Sequence, residues 1–209
     1  MRVARPSRSG PEPIERKLFD WPGSLSHKKN MEFCDQMPDN PSYTRKIITL
    51  VPLLLEIQKA RGAGKKIILT NGCFDILHSG HVRYLQGARN ILPADQGVLI
   101  TAVNSDNSVR RLKGPWRPIL PEDQRLELVA ALYCTDWVIL FEQSDVSALI
   151  AEIRPDFHAK GTDYTEATVP ERELVLRFGG QVRIVGDAKN HSTRDLIALV
   201  RQKYPAGPV

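Results

Sequence analysis

From residue 49 onward the chain alternates between two periodicities, and this alternation limits the folds open to it. Five short apolar runs have the length and composition of buried strands, at residues 65–70, 97–105, 136–141, 156–161 and 181–186. Segments with apolar residues at helical spacing lie around them, at residues 49–61, 80–91, 121–133, 144–153, 168–178 and 192–204. The pattern predicts an α/β fold with a Rossmann-like, doubly wound sheet of five parallel strands. In such sheets the ligand site lies at the carboxyl ends of the strands.

Residues 1–43 differ from the rest because they are rich in proline, serine and charged residues. This composition predicts a largely irregular N-terminal extension. We therefore expect two parts, the extension over 1–43 and one α/β domain over 44–209.

Charge and cysteine content narrow the class of protein. The formal net charge of +5 favours anionic partners. The three cysteines form no CxxC pair, which fits a reducing cytoplasm. The longest apolar stretch, residues 47–55, is too short to span a bilayer, so we expect no membrane partner. No helix-turn-helix or aromatic-interleaved basic face is present, so we expect no nucleic-acid partner.

The segment of residues 70–85 carries the strongest chemical signal. His78 and His81 lie three residues apart, directly after the first predicted strand and at the start of a helix. Gly80 between them allows close approach of a ligand, and the helix N-terminus offers free N–H groups to phosphate. The bare pattern also fits two unrelated histidines, or a metal site that would need further ligands such as His158 or His191.

The wider context of this segment resembles a known family. The stretch GCFDILHSGH resembles the signature of the cytidylyltransferase-like superfamily, in the form found in heptose 1-phosphate adenylyltransferases. Further elements resemble the same enzymes, in order, from about residue 46 to 203: AVNSD, RLKGPWRPI, EDQR, DWVILFE, PDFHAKGTDY, GGQVRIV and HSTRDLI. These enzymes occur as the adenylyltransferase domain of bifunctional heptose kinase/adenylyltransferases.

The resemblance implies roles for individual residues. It makes His78, His81 and Lys113 the catalytic residues. Nucleotide or phosphate contacts fall on Asn71, Gly72, Cys73, Phe74, Gly80, Arg125, Lys160, Gly161, Ser192 and Thr193. Substrate contacts fall on Asp75, Asn104, Asp106 and Asp163, and no protein metal ligand is implied. The family's usual CSTT is HSTR here, so His191 and Arg194 depart from the pattern.

Simpler interpretations stay open for several of these residues. Lys113 fits a solvated loop lysine, and Arg125 fits a surface residue paired with Glu122. Ser192 and Thr193 fit plain N-caps, and Asp163 fits a turn residue. Asp75 fits a residue that orients the loop.

The implied reaction transfers AMP from ATP to D-glycero-β-D-manno-heptose 1-phosphate, giving ADP-heptose and pyrophosphate, with Mg²⁺ bridged by substrate. Its nucleophile is a phosphate oxygen that is already ionised near neutral pH, so no general base is needed. The alternatives are a cytidylyltransferase acting on glycerol 3-phosphate or a related alcohol phosphate, and a non-catalytic nucleotide-binding protein. The resemblance also leaves a homodimer open and implies a separate heptose kinase, because no kinase segment is recognised in the sequence.

Overall fold

The computed structural model describes residues 42–188 and 192–204. Its five strands are β1 (Lys66–Gly72), β2 (Gly97–Asn104), β3 (Trp137–Phe141), β4 (Phe157–Gly161) and β5 (Gln181–Val185). Its α-helices are α1 (Leu50–Gly62), α2 (Ser79–Arg89), α3 (Asp106–Lys113), α4 (Glu122–Ala131), α5 (Ser147–Ile153), α6 (Arg172–Arg177) and α7 (Thr193–Lys203). Two short 3-10 helices, Ser42–Lys46 and Glu166–Thr168, complete the described elements.

All neighbouring strands pair in parallel, and the strand order is β3-β2-β1-β4-β5. The predicted α/β class and five-stranded parallel sheet are therefore confirmed. The chain reverses its direction of progress across the sheet between β1 and β4, which is the switch point at which open α/β sheets bind ligands.

Helices cover both faces of the sheet because each strand is apolar on both sides. On one face Leu53 of α1 and Leu149 of α5 belong to a core cluster with Leu69 and Ile100 of the sheet. On the other face Leu85 of α2 and Leu126 and Val129 of α4 pack in a second cluster. These two layers hold the carboxyl edge of the sheet rigidly in place.

The segment before α1 closes the β3 edge of the sheet. Ile47 forms a parallel bridge with Val138, and the Ile48 amide donates to the Val138 carbonyl at 2.9 Å. The Lys46 ammonium donates to the Leu132 carbonyl, and the Tyr43 hydroxyl donates to Glu127 at 2.8 Å. Edge strands expose unpaired backbone groups, so this cover removes a site of unwanted pairing.

Helix α3 lies in a segment for which the sequence pattern predicts no helix. It begins after the N-cap Ser105, whose side chain accepts a hydrogen bond from the Ser108 amide. Its only buried residues are Ser108 and Val109, so it lacks the apolar stripe that marks a helix in sequence. In the described part of the chain, no helix combines the length and apolar character required to cross a bilayer.

Candidate active site

The carboxyl ends of β1 and β4 meet at the switch point and form the floor of the candidate site. Asn71 and Gly72 end β1, and Lys160 and Gly161 end β4. All four were predicted as nucleotide or phosphate contacts, and the structure brings them together. A Cβ atom on Gly72 would lie 3.0 Å from the Phe74 ring, so the loop packing favours glycine at this position.

The loop after β1 carries the two histidines. Phe74 and Ile76 both have positive φ angles, 48° and 58°, so the backbone between them turns sharply toward α2. His78 is the N-cap of α2, and its carbonyl accepts from the His81 amide at 2.9 Å. The two imidazoles stack with ring centroids 3.9 Å apart, and the Phe74 ring lies 5.4 Å from that of His81. Gly80, half-buried, lies in the first turn between them.

The surroundings of His81 keep its imidazole neutral. The pKa of His81 is lowered to about 4, mainly by burial. The neighbouring His78 also lowers it, and this effect is larger than the opposite effect of Asp75. A neutral imidazole has one N–H donor and one acceptor nitrogen. His81 can therefore donate a hydrogen bond at physiological pH, but it carries no positive charge there.

Asp75 is a buried support of the site. Its carboxylate accepts hydrogen bonds from Arg117 Nε at 2.5 Å and from the backbone amides of Ile119 and Leu120 at 2.9 Å. These bonds join the loop after α3 to the histidine loop. With a residue exposure of 1%, the carboxylate presents little surface to a substrate.

Arg125 is completely buried, which is not the environment expected of a residue that contacts phosphate directly. Its Nη1 donates to the carbonyls of Cys73 (2.6 Å) and Asn104 (2.7 Å), and its Nε donates to the Leu120 carbonyl at 3.0 Å. Its Nη2 pairs with Asp106 at 2.8 Å rather than with Glu122. One guanidinium thus joins the ends of β1 and β2 to the loop before α4.

Asn104 and Asp106, predicted as substrate contacts, belong to the same internal network. The Asn104 amide donates to Ser108 Oγ at 2.9 Å, and Asn104 is only 2% exposed. Asp106 is occupied by Arg125, while its backbone amide donates to Glu122 at 2.7 Å. Both residues shape the end of β2 and the start of α3.

Lys113 ends α3 and is exposed. Its charge reaches Cys73 at the end of β1: burial raises the pKa of the Cys73 thiol, and Lys113 is the strongest of the charges that lower it. The Lys113 charge therefore acts on the start of the histidine loop, which follows β1 at Cys73. Of the cations at this edge, Arg117 and Arg125 have carboxylate partners.

Lys160 lies in a buried ion pair that the sequence did not reveal. Its ammonium donates to Asn71 Oδ1 at 2.9 Å and to Glu171 at 3.2 Å. It also lies 5.6 Å from the centre of the Tyr164 ring. Burial lowers the pKa of Lys160, and Glu171 opposes that shift. Asp163 is in the exposed turn between Gly161 and Tyr164.

The N-terminus of α7 closes the site from the remaining side. Ser192 is its N-cap and accepts from the Asp195 amide at 3.1 Å. The Thr193 hydroxyl donates to the Asp75 carbonyl at 2.6 Å, which joins α7 to the histidine loop. Arg194 is exposed, and His191 lies outside the described residues.

The metal interpretation of the histidines lacks further ligands in the described part of the chain. No group of three or more His, Cys, Asp or Glu side chains there could hold a metal ion. His158 is on β4, fully buried, and pairs in register with Leu69 and Val182. It therefore faces the apolar core rather than the histidine loop.

Two residues of this site were absent from the sequence interpretation, namely Arg117 and Glu171. Arg117 falls inside the quoted RLKGPWRPI element, so its proximity to Asp75 was the missing information. Glu171 follows Pro170 at the start of a helical pattern, where an acidic residue is ordinary. Nothing local in the sequence distinguishes it from a surface glutamate.

Comparisons with known proteins agree with this geometry. The family model described as Cytidylyltransferase-like matches residues 69–199. Bifunctional protein HldE of Pelobacter propionicus is 46% identical over 155 residues, covering 74% of this chain and 30% of that protein. Bifunctional protein HldE of Ectopseudomonas mendocina is 43% identical over 159 residues, covering 76% and 33%. The chain thus spans about a third of the length of these curated relatives.

Among solved structures, the lipopolysaccharide core biosynthesis protein from Thermoplasma volcanium is similar at 31% identity and a TM-score of 0.48. The match covers 61% of this chain and all of that one. The family model covers more than half of the chain and includes both histidines, the switch point and the N-terminus of α7. The chain belongs to the cytidylyltransferase-like family of nucleotidyltransferases.

Proposed function

We propose that this protein transfers AMP from ATP to D-glycero-β-D-manno-heptose 1-phosphate, giving ADP-heptose and pyrophosphate. The observation that carries the proposal is the stacked His78–His81 pair at the N-terminus of α2, beside the switch point of a cytidylyltransferase-like domain. The choice of heptose rests on the sequence elements that resemble heptose 1-phosphate adenylyltransferases. Similarity to the bifunctional HldE proteins supports the same choice.

The reaction requires positioning more than proton transfer. An oxygen of the sugar phosphate attacks the α-phosphorus, the new P–O bond forms, and the bond from the α-phosphorus to the bridging oxygen of pyrophosphate breaks. The attacking oxygen is already ionised because the second pKa of a phosphate monoester is about 6. The protein must therefore align two anions and stabilise the charge that develops on the transferred group.

The proposed catalytic residues suit that task. His78 and His81 would place imidazole donors beside the phosphates, and the free N–H groups at the start of α2 would add a positive dipole end. Lys113 would supply a full positive charge from the end of α3. The N-terminus of α7, with Ser192 and Thr193, would supply further backbone donors from the opposite side.

Mg²⁺ would arrive with the nucleotide, since the described residues form no acidic cluster of their own for it. The nearby carboxylates Asp75 and Asp106 are paired with Arg117 and Arg125. When bound with the nucleotide, Mg²⁺ would neutralise part of the phosphate charge.

The substrate and the product indicate which reactions must precede and follow this one. A kinase must supply the heptose 1-phosphate, and an enzyme that uses ADP-heptose must consume the product, as in lipopolysaccharide synthesis. We propose that a separate heptose kinase does the former. A homodimer also remains part of the proposal.

A pyrophosphate-release assay tests the function. ATP and CTP are each combined with heptose 1-phosphate, glycerol 3-phosphate and a hexose 1-phosphate. We expect the highest kcat/KM with ATP and heptose 1-phosphate. Turnover only with CTP and glycerol 3-phosphate would move the protein to the alcohol-phosphate cytidylyltransferases. Nucleotide binding without turnover on any acceptor would favour a non-catalytic nucleotide-binding protein.

A further inference from the structure

Three polar side chains form a chain of contacts at the switch point. Glu171 precedes α6, Lys160 ends β4, and Asn71 is near the end of β1. The Glu171 and Lys160 side chains are only 7% and 8% exposed, and both Glu171 oxygens lie 3.2 Å from the Lys160 ammonium. Separating the two side chains would leave two unpaired charges in a buried environment, which is costly. The Lys160 and Glu171 side chains therefore hold each other in place.

The Lys160 ammonium determines how the Asn71 amide is turned. An ammonium can only donate hydrogen bonds, so the atom that faces it must be the amide oxygen, at 2.9 Å. The NH₂ end of Asn71 then points away from Lys160. Among the described residues, the side-chain hydrogen bond of Asn71 is the one that its oxygen accepts from Lys160, and its NH₂ group donates none to them. The side chain is half-buried at the edge where ligands bind.

The charge balance argues against Lys160 itself as the main phosphate ligand. Its positive charge is compensated by Glu171, and its side chain is almost completely covered. The pair as a whole is neutral, so it gives little net attraction to an anion. The Asn71 NH₂ group differs from the Lys160 ammonium because it is not engaged by Glu171, so it can donate to an ionised phosphate oxygen.

We propose that Glu171 and Lys160 are positioning residues that hold the Asn71 amide with its donors toward the switch-point crevice, where Asn71 binds a phosphate oxygen of a substrate. This inference rests on the proposed function for the identity of the substrates. It adds Glu171 to the site and changes the role of Lys160 from ligand contact to support. The phosphate belongs to the nucleotide or to the sugar phosphate, and the experiment separates these sources.

Two variants of Asn71 test the donor. Asn71→Asp keeps an oxygen for Lys160 but removes the NH₂ group, and Asn71→Leu removes both without adding charge. Binding of MgATP, adenosine and heptose 1-phosphate to each variant is measured by calorimetry. We expect both variants to weaken binding of one phosphate compound by about tenfold to a hundredfold, as for a lost hydrogen bond to a charged group. Adenosine, which has no phosphate, should bind as it does to the wild type.

The outcomes separate clearly. Weaker MgATP binding assigns the contact to the nucleotide, and weaker heptose 1-phosphate binding assigns it to the sugar phosphate. Unchanged binding of both phosphate compounds to Asn71→Leu would overturn the inference. An equal loss of adenosine binding would overturn it as well, because the change would then be a general disturbance of the pocket. Pyrophosphate release by the wild type reports separately on the proposed function.

The positioning pair needs a test that a purely structural role would fail. Glu171→Met leaves an unpaired buried ammonium and should lower stability strongly. Adding Lys160→Met in the same chain removes the buried charge and should restore most of the stability. We expect this double variant to keep a weakened affinity for the same phosphate compound, since Asn71 is no longer oriented. Recovery of both stability and affinity would show that the pair is only structural. If a pair variant fails to fold, the two Asn71 variants decide.

Discussion

At the scale of single residues, His81 is the sharpest test of the proposed chemistry. Its pKa of about 4 makes it a neutral donor, so its loss removes a hydrogen bond and no charge. Removing one preorganised donor at a transition state costs about 3–4 kcal/mol, so we expect His81→Ala to lower kcat by roughly two to three orders of magnitude. Gln86→Ala, an exposed change on the same helix, is the matched control. A His81→Ala enzyme that folds and retains more than a tenth of the wild-type kcat would contradict the role.

His158 makes a second prediction, on stability. Burial lowers the pKa of His158 to about 3, and neither ring nitrogen has a hydrogen-bond partner in the described part of the chain. Between about pH 6.5 and 3 the unfolded chain binds a proton that the folded chain refuses, so stability falls as the pH falls. His158→Leu removes this penalty and the unpaired nitrogens, so we expect equal or higher stability at pH 7.5 and a smaller loss at pH 4.5.

Urea unfolding of wild type and His158→Leu at both pH values measures the effect. Part of the acid sensitivity should remain in the variant, because His81 has a lowered pKa for the same reason. An unchanged difference in unfolding free energy between the two pH values would show that His158 is not the source. From the sequence, His158 was considered only as a further metal ligand, since residue type alone does not show which face of a strand a side chain occupies.

At the scale of elements, regular patterns were predicted well and short polar ones were not. All five strands have apolar runs that periodicity identifies, and β1 merely extends two residues beyond the predicted 65–70. Helix α3 was not predicted because its eight residues bury only Ser108 and Val109. Helix α6 is shorter than the predicted 168–178, since Pro170 and the 3-10 helix Glu166–Thr168 precede it. Hydrophobic periodicity detects elements that bury an apolar face, so it does not detect an element that is held mainly by hydrogen bonds.

The contact between α7 and the histidine loop supports an element-scale prediction. The Thr193 hydroxyl donates to the buried Asp75 carbonyl at 2.6 Å. Thr193→Val keeps the shape but leaves that carbonyl unsatisfied, which costs about 1–3 kcal/mol. We expect lower unfolding free energy, faster amide exchange in the first turn of α7, and weaker ATP binding.

Two controls define that result. Thr193→Ser keeps the hydroxyl and should behave like the wild type. Ser192→Ala removes the N-cap bond, costs about 1 kcal/mol, and shows how much faster exchange in α7 becomes when the cap alone is lost. If Thr193→Val binds ATP as tightly as Thr193→Ser, the contact only anchors the helix.

At the scale of the whole molecule, the networks that assemble the site are the part the sequence could not predict. Arg125 joins residues 73, 104, 106 and 120, and the Lys160–Glu171 pair joins β4 to the start of α6. Each network connects positions that are far apart in the chain, and each uses residue types that are common on surfaces. The family resemblance implies that Arg125 and Lys160 contact the nucleotide or its phosphates. The structure places both inside the protein, where Arg125 bonds the carbonyls of Cys73 and Asn104 and Lys160 bonds the side chain of Asn71.

The boundary of the domain provides the last prediction. Two shortened chains are compared, one beginning at Ser42 and the other at Thr49. The second lacks, among others, the hydrogen bonds of Tyr43 with Glu127, Lys46 with Leu132 and Ile48 with Val138, and it uncovers the β3 edge. At about 0.5–1.5 kcal/mol for each of these three bonds, we expect it to be less stable by roughly 1.5–4.5 kcal/mol in urea unfolding and more prone to aggregation. Equal unfolding midpoints for the two chains would place the start of the folded domain after residue 48, instead of near the predicted 44.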